Sequence, residues 1–255
     1  MAIRQPHLLA RALEPFSASL WALFLIWTSL ISIVWIGEIG DVDLQRRIVN
    51  PGLRGALEFF LRTLDATWFV IAAANVYLSL AEAESLAVAR RWASVVLLGA
   101  WLISALSAWT TIPLGAIHYT ARLGMRIGPV PFGLLLMWFA FVIGARALAM
   151  HIFPRASHLR ISLAVGLLVA LTAANLDPLA WKFRAFWLWR PGVAPWLAHA
   201  WNIATWFLAA SGFAFTMRET RVASTAFAVF PRPAIVLLTF NAVFLLTHFV
   251  RSIRG

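Results

Sequence analysis

The chain has 255 residues, of which 62% are hydrophobic and 12% are charged. Soluble domains carry about a quarter charged residues, so this composition excludes a soluble globular protein and predicts an all-α, polytopic membrane protein. The net charge of +11 comes from basic residues at the ends of apolar runs, where they contact lipid headgroups, so nucleic acid is not an expected partner. The lack of Cys excludes disulfides, thiolate metal sites and cysteine nucleophiles.

Seven apolar runs have the roughly 20 residues that a helix needs to cross a bilayer. The predicted spans of this single domain (1–255) cover about 16–37, 60–81, 92–112, 132–153, 159–176, 196–217 and 233–250. The first span has Arg4 and Arg11 before it and no small-residue cleavage site, so we expect a retained helix. The segment 222–230 is too short to span and is predicted to lie at the interface. Basic residues divide evenly between the two faces, so they predict no orientation.

Polar residues are concentrated in the first, third and fifth loops, which emerge on one face in a seven-span arrangement. The first loop has the acids Glu38, Asp41 and Asp43, the third has His118 and Tyr119, and the fifth opens at Asp177. The sequence therefore predicts that one side of the membrane gathers acids with a His and a Tyr.

Asp177 has two interpretations. Pro178 follows it and cannot continue a helix ladder, so Asp177 fits a helix terminus that meets water. Alternatively, a carboxyl at the lip of an apolar cavity is able to hold a proton at neutral pH and act as an acid. The residues alone leave both open.

Two other groups of polar residues lie within spans. Glu58, Arg62 and Asp65 share one face of the second span, which favours an ion-pair ladder and leaves Asp65 as a less favoured additional acid. Asn241 and His248 share a face of the last span, and a single His at such a position is expected to be hydrogen-bonded. The six His show no metal-ligand spacing.

Tryptophan is unusually dense in one region, with six of the 14 between Trp181 and Trp206. Trp and basic residues favour the membrane interface, which is the interpretation given to Lys182, Arg184 and Arg190. Indole faces also stabilise cations in dry sites and pack against flat conjugated ligands.

Two stretches over residues 100–210 carry a recognisable pair of motifs in the same order. The stretch IPLGAIHYTARLGMRIGPVPFGLLLMWF supplies Pro113, Gly115, Tyr119, Thr120, Leu123, Gly124, Val130, Pro131 and Trp138. The second stretch supplies Leu176, Asp177, Pro178, Trp187, Trp189, Asn202 and Trp206. These motifs resemble the carotenoid-biosynthesis membrane family of C-1′,2′-hydratases, of the bisanhydrobacterioruberin hydratase type.

The resemblance implies acid-catalysed hydration of a terminal isoprenoid double bond of a carotenoid, without a cofactor or metal, in the bacterial cytoplasmic membrane (inner or intracytoplasmic). It makes Asp177 the expected acid, with Tyr119 and His118 orienting water or relaying protons. The residues that it places around the carotenoid are Trp187, Trp189, Asn202, Trp206, Trp138 and Thr120. The expected partners are the polyene and membrane lipids, with a biosynthetic or pigment–protein complex as a further expectation.

Two positions depart from the family pattern: Ser104 stands where the family has Glu, and Ile117 replaces a Tyr. Both changes remove polar groups. They support an alternative in which the chain is a catalytically silent carotenoid-binding protein or a structural subunit of a pigment–membrane complex. A transporter or an unrelated lipid enzyme is the third alternative, although no inverted repeat supports it.

Overall fold

The computed structural model describes residues 6–37, 48, 50–189, 195–217 and 231–254. The predictions for Glu38, Asp41 and Asp43, for Arg190 and for the segment 222–230 lie outside the described residues.

Seven long helices account for most of the described chain, as the all-α prediction requires. They are α1 (Pro6–Ile36), α2 (Pro51–Ala83), α3 (Leu86–Thr110), α4 (Phe132–Ile152), α5 (His158–Lys182), α6 (Pro195–Thr216) and α7 (Arg232–Arg254). Six of them, all except α6, are long and apolar enough to cross a membrane. Helix α6 carries His199 and Asn202 near its start, and these polar residues lower its mean hydropathy.

Helix α4 lies at the centre of the bundle. It is apolar around its whole circumference, as expected of a helix enclosed by others, and nearly all of its residues are buried. It contacts α2, α3, α5 and α7. The remaining helices leave large apolar side chains exposed, for example Leu98 and Leu208, as a surface facing lipid would.

The most extensive helix contact in the fold is between α5 and α6. Gly166 permits this close approach, because a Cβ there would lie 2.6 Å from the carbonyl oxygen of Phe207. The pair therefore places the end of α5 beside the start of α6.

Helix α5 does not end at Asp177, as the sequence analysis allowed, but continues through Pro178 to Lys182. The proline removes one backbone hydrogen bond, while Leu179 and Ala180 in the following turn are buried against the rest of the bundle. The helix-terminus interpretation of Asp177 is thus wrong.

Two short strand pairs connect the helices at one end. Strand β1 (Ile117–Tyr119) pairs antiparallel with β4 (Trp187–Trp189), and β2 (Arg126–Ile127) pairs with β3 (Val130–Pro131). The β1–β4 pair confirms that the third and fifth loops meet on the same face.

Candidate functional site around Asp177

The carboxyl group of Asp177 lies inside the protein, with the side chain 2% exposed. Its Oδ1 accepts hydrogen bonds from Trp187 Nε1 at 3.0 Å and from Asn202 Nδ2 at 3.2 Å. Its Oδ2 contacts His199 Nδ1. Three side chains from β4 and α6 therefore hold this carboxyl in one orientation, which is how a reactive group is preorganised.

His199 is the part of the site that the sequence analysis missed. It precedes Asn202 by three residues, so the two side chains share one face of α6, and this spacing is the signal that points to it. Its contact with Asp177 requires one proton between Nδ1 and Oδ2. The imidazole is 23% exposed, and the indoles of Trp181 and Trp189 flank it with centroids 5.5 and 5.6 Å away.

The strand register joins the two sequence motifs. Tyr119 is the partner of Trp187, and Ile117 is the partner of Trp189. Because side chains alternate along a strand, these four residues face the same side of the strand pair, and Ile117, Tyr119 and Trp187 are buried. Asp177 receives its indole hydrogen bond from this side.

Thr120 fastens the strand pair to the end of α5. Its Oγ1 donates to the carbonyl oxygen of Ala185 at 2.5 Å, and its backbone N–H donates to Phe186 O at 3.0 Å. Ala185 has a positive φ of 51°, which turns the chain from α5 into β4. The predicted carotenoid contact of Thr120 stays a prediction, and its observed role is to join the motifs.

His118 does not join the group around Asp177. It lies between Ile117 and Tyr119, so its side chain points to the opposite side of β1, and it is exposed. Among the described residues, no contact of His118 supports its predicted role in moving protons.

Trp138 and Trp206 pack directly on each other. Their rings are stacked with centroids 3.6 Å apart and an interplanar angle of 4°, and both residues are buried. The stack packs α4 against α6. On α6, Trp206 lies one turn after Asn202 and two turns after His199. Trp189 is half-buried and packs over Gly115, where a Cβ would lie 3.0 Å from the indole.

Ser104 and Tyr119 bring two buried hydroxyls to one place. Ser104 is 0% and Tyr119 is 3% exposed. Burial raises the pKa of Tyr119 above its ordinary value, and the nearby Ser104 hydroxyl acts in the opposite direction with a smaller effect. In the described part of the chain, neither hydroxyl has a hydrogen-bond partner.

Asp65 forms a salt bridge with Arg184 and is not part of the group around Asp177. Its Oδ2 accepts from Arg184 Nε at 3.0 Å and from the Arg184 guanidinium NH2 at 2.5 Å, and its Oδ1 accepts from Trp35 Nε1 at 2.9 Å. The predicted ion-pair ladder along α2 is therefore wrong for Asp65, because its partner Arg184 lies after the end of α5.

The prediction that Lys182 and Arg184 lie at the membrane interface has two outcomes. Arg184 is 7% exposed, so the prediction is wrong for this residue. Lys182 is exposed, and its Nζ lies 5.0 Å from the centroid of the Trp181 ring.

The hydrogen bonding expected for the last span is confirmed. His248 Nε2 contacts the carbonyl oxygen of Asn175 at 2.7 Å, and Asn241 binds both Asn175 and Thr172. These contacts join α7 to α5 without reaching Asp177.

An apolar groove with a volume of about 360 Å³ runs along the outside of α3 and α6. Ile103, Pro113, Trp201, Thr205 and Leu208 line it together with two alanines. Several of these residues are next in sequence to buried site residues: Ile103 precedes Ser104, and Trp201 precedes Asn202. The groove thus lies on the outer surface of the two helices that carry Ser104 and Asn202.

The arrangement offers acid–base groups and no metal site, since the described residues contain no group of three His, Cys, Asp or Glu able to hold an ion. What it can do chemically is hold and release a proton at the Asp177–His199 contact beside aromatic side chains.

Comparison with known protein families gives a match over most of the chain. The family model described as "Carotenoid biosynthesis protein" matches residues 64–253, which include the strand pair, Asp177 and its three partners. No curated protein matches the chain, and no solved structure matches it.

Proposed function

The chain belongs to the carotenoid biosynthesis protein family, and we propose that it is a membrane hydratase that adds water to a terminal isoprenoid double bond of a carotenoid. The observation that carries this proposal is Asp177, a buried carboxyl that contacts a partly exposed imidazole. Hydration of an alkene begins with transfer of a proton to carbon, and we assign this proton to the Asp177–His199 pair.

The chemistry places specific demands on the site. Protonation of C2′ creates a tertiary cation at C1′, and water then adds to that carbon. The acid has to be held close to the alkene, and the cation needs aromatic faces near it. We assign the second demand to the indoles of Trp181 and Trp189, which lie beside His199, and of Trp187, which bonds to Asp177.

The groove along α3 and α6 supports a polyene as the substrate. It opens at the outer surface of the helix bundle, is almost wholly apolar, and is bordered by the exposed Trp201 and Leu208. A conjugated chain lying there would keep its length in contact with lipid while its end group approaches the start of α6. We place this activity in the cytoplasmic membrane of a bacterium.

Expression in a host that makes an acyclic carotenoid tests the proposal. The wild-type protein is expected to yield a pigment that has gained one water, and Asp177→Asn is expected to yield none at an equal protein level. A wild-type protein that co-purifies with unchanged pigment would overturn hydration and favour the silent carotenoid-binding role suggested by Ser104 and Ile117.

A further inference from the structure

The Ser104 hydroxyl differs from most hydroxyls within the helices of this bundle. Ser32, Thr172 and Thr247 each donate to the carbonyl four residues earlier, at 2.8 to 2.9 Å, which is the usual arrangement for such residues in apolar surroundings. Ser107, one turn after Ser104, accepts from the backbone N–H of Leu114 at 2.6 Å. Ser104 Oγ is buried and makes no such bond within the described residues.

Tyr119 Oη is also buried and lacks a partner among the described residues, as do the hydroxyls of Ser79 on α2 and Ser211 on α6. The Ser104 hydroxyl is near enough to Tyr119 to lower the pKa of the phenol, but the two groups do not meet hydrogen-bond geometry. A buried polar group without a partner is destabilising. A water molecule bound to both hydroxyls would give each of them a partner.

We propose that the hydroxyls of Ser104 and Tyr119 bind one water molecule and that this water is the nucleophile of the hydration. This inference rests on the proposed function and gives a binding site to water, the second reactant of the hydration. The phenol is a neutral donor and acceptor, because burial raises the pKa of Tyr119, and the serine hydroxyl can rotate to complement it. Together they can orient a water lone pair without removing its proton.

The position of this water relative to the acid follows from the strand register. Tyr119 and Trp187 are partners across β1 and β4, and Trp187 Nε1 donates to Asp177. The water site and the acid therefore lie on the same side of the strand pair, with the Trp187 side chain belonging to both. A cationic end group beside Trp187 would have the acid at one edge and the water at another.

The reaction balances without an oxidant or reductant. The π electrons of the alkene form a C–H bond with the proton from the Asp177–His199 pair, which leaves a cation at C1′. A lone pair of the held water forms the C–O bond, and the resulting oxonium returns its proton to the pair. The sum is alkene plus water giving a tertiary alcohol.

The ratio of the two products that the cation can form tests this assignment. In D2O, capture by water gives the alcohol, whereas loss of a methyl proton gives an alkene that has gained deuterium but no oxygen. Ser104→Ala and Tyr119→Phe are expected to raise the ratio of deuterated alkene to alcohol by about tenfold, the effect of one lost hydrogen bond on a rate ratio. Ser104→Thr keeps a hydroxyl and is expected to stay near the wild-type ratio.

Tyr77→Phe is the matched control, because Tyr77 is the only other tyrosine of the chain and lines a separate groove between α2, α3 and α4. It is expected to leave the ratio unchanged. If alcohol and deuterated alkene fall together in Ser104→Ala and Tyr119→Phe, with no change in their ratio, the water site is wrong. If the folded wild-type protein forms neither product, the proposed hydration itself is wrong.

Discussion

Trp187 donates its indole N–H to Asp177 Oδ1 at 3.0 Å and at the same time lies opposite Tyr119 in the strand register. One residue thus ties the carboxyl at the end of α5 to the loop between α3 and α4. The site depends on this tie, because Tyr119 and Trp187 lie 68 residues apart in the sequence and the β1–β4 pair brings them together.

Trp187→Phe removes the indole donor and keeps an aromatic ring in the buried position. We expect hydration to fall by about tenfold, because Asp177 loses one of the bonds that fix its orientation. The measurement is the rate of alcohol formation at equal protein concentration. Trp196→Phe is the control, since Trp196 is 71% exposed and should retain the wild-type rate; equal losses in both variants would contradict the account.

His199 is expected to do more than orient Asp177. Removing it in His199→Ala should lower hydration by about 100-fold, the scale of a lost acid–base group. His199→Asn restores an N–H near Asp177 Oδ2 but has no second ring nitrogen to pass a proton onward. We expect it to recover the melting temperature and not the rate, and a recovered rate would show that the imidazole serves only for positioning.

The Asp65–Arg184 pair is expected to stabilise the fold. Arg184→Met leaves the fully buried Asp65 carboxylate without its cation, at a cost of about 3–5 kcal/mol. The double variant Asp65→Leu with Arg184→Met should cost clearly less than the sum of the single variants.

Thermal unfolding in detergent measures this double-mutant cycle. Glu82→Gln is the control, because its ion pair with Arg232, whose side chain is 49% exposed, should be worth less than about 1 kcal/mol. A buried pair whose loss costs no more than this control would show that the Asp65–Arg184 pair does not stabilise the fold.

Thr120 offers a test of the connection between the end of β1 and the segment that leads from α5 into β4. Thr120→Val removes the hydroxyl that donates to the Ala185 carbonyl and accepts from the Arg122 N–H, so we expect a loss of about 1–3 kcal/mol in unfolding free energy. Thr120→Ser keeps the hydroxyl and should stay within a few tenths of a kcal/mol. If both variants unfold alike, the hydroxyl does not fasten the strand pair.

Helix number and class could be predicted from the sequence because a bilayer demands long apolar runs. The meeting of the third and fifth loops also followed, since alternate loops share a face. The helix through Pro178 could not be predicted, because its stability comes from packing of Leu179 and Ala180 against other helices. Local proline chemistry favoured a stop at that point, and tertiary contacts outweighed it.

The candidate site was predicted only where a motif marked it. Asp177, Trp187 and Asn202 proved to be in contact, but His199 lies within the second stretch without being one of its motif residues. The partner of Asp65 was missed because Arg184 is 119 residues away in sequence, and only intrahelical partners can be inferred from spacing. His118 was chosen for its chemistry, and strand alternation turns it outward.

The most direct test of the central claim is incorporation of heavy oxygen from labelled water into an acyclic carotenoid by the purified protein in lipid. The account predicts an alcohol carrying one labelled oxygen, formed without an added cofactor, and at least about a 100-fold slower reaction in Asp177→Asn with an unchanged melting temperature. An Asp177→Asn variant that forms the labelled alcohol at the wild-type rate would contradict it.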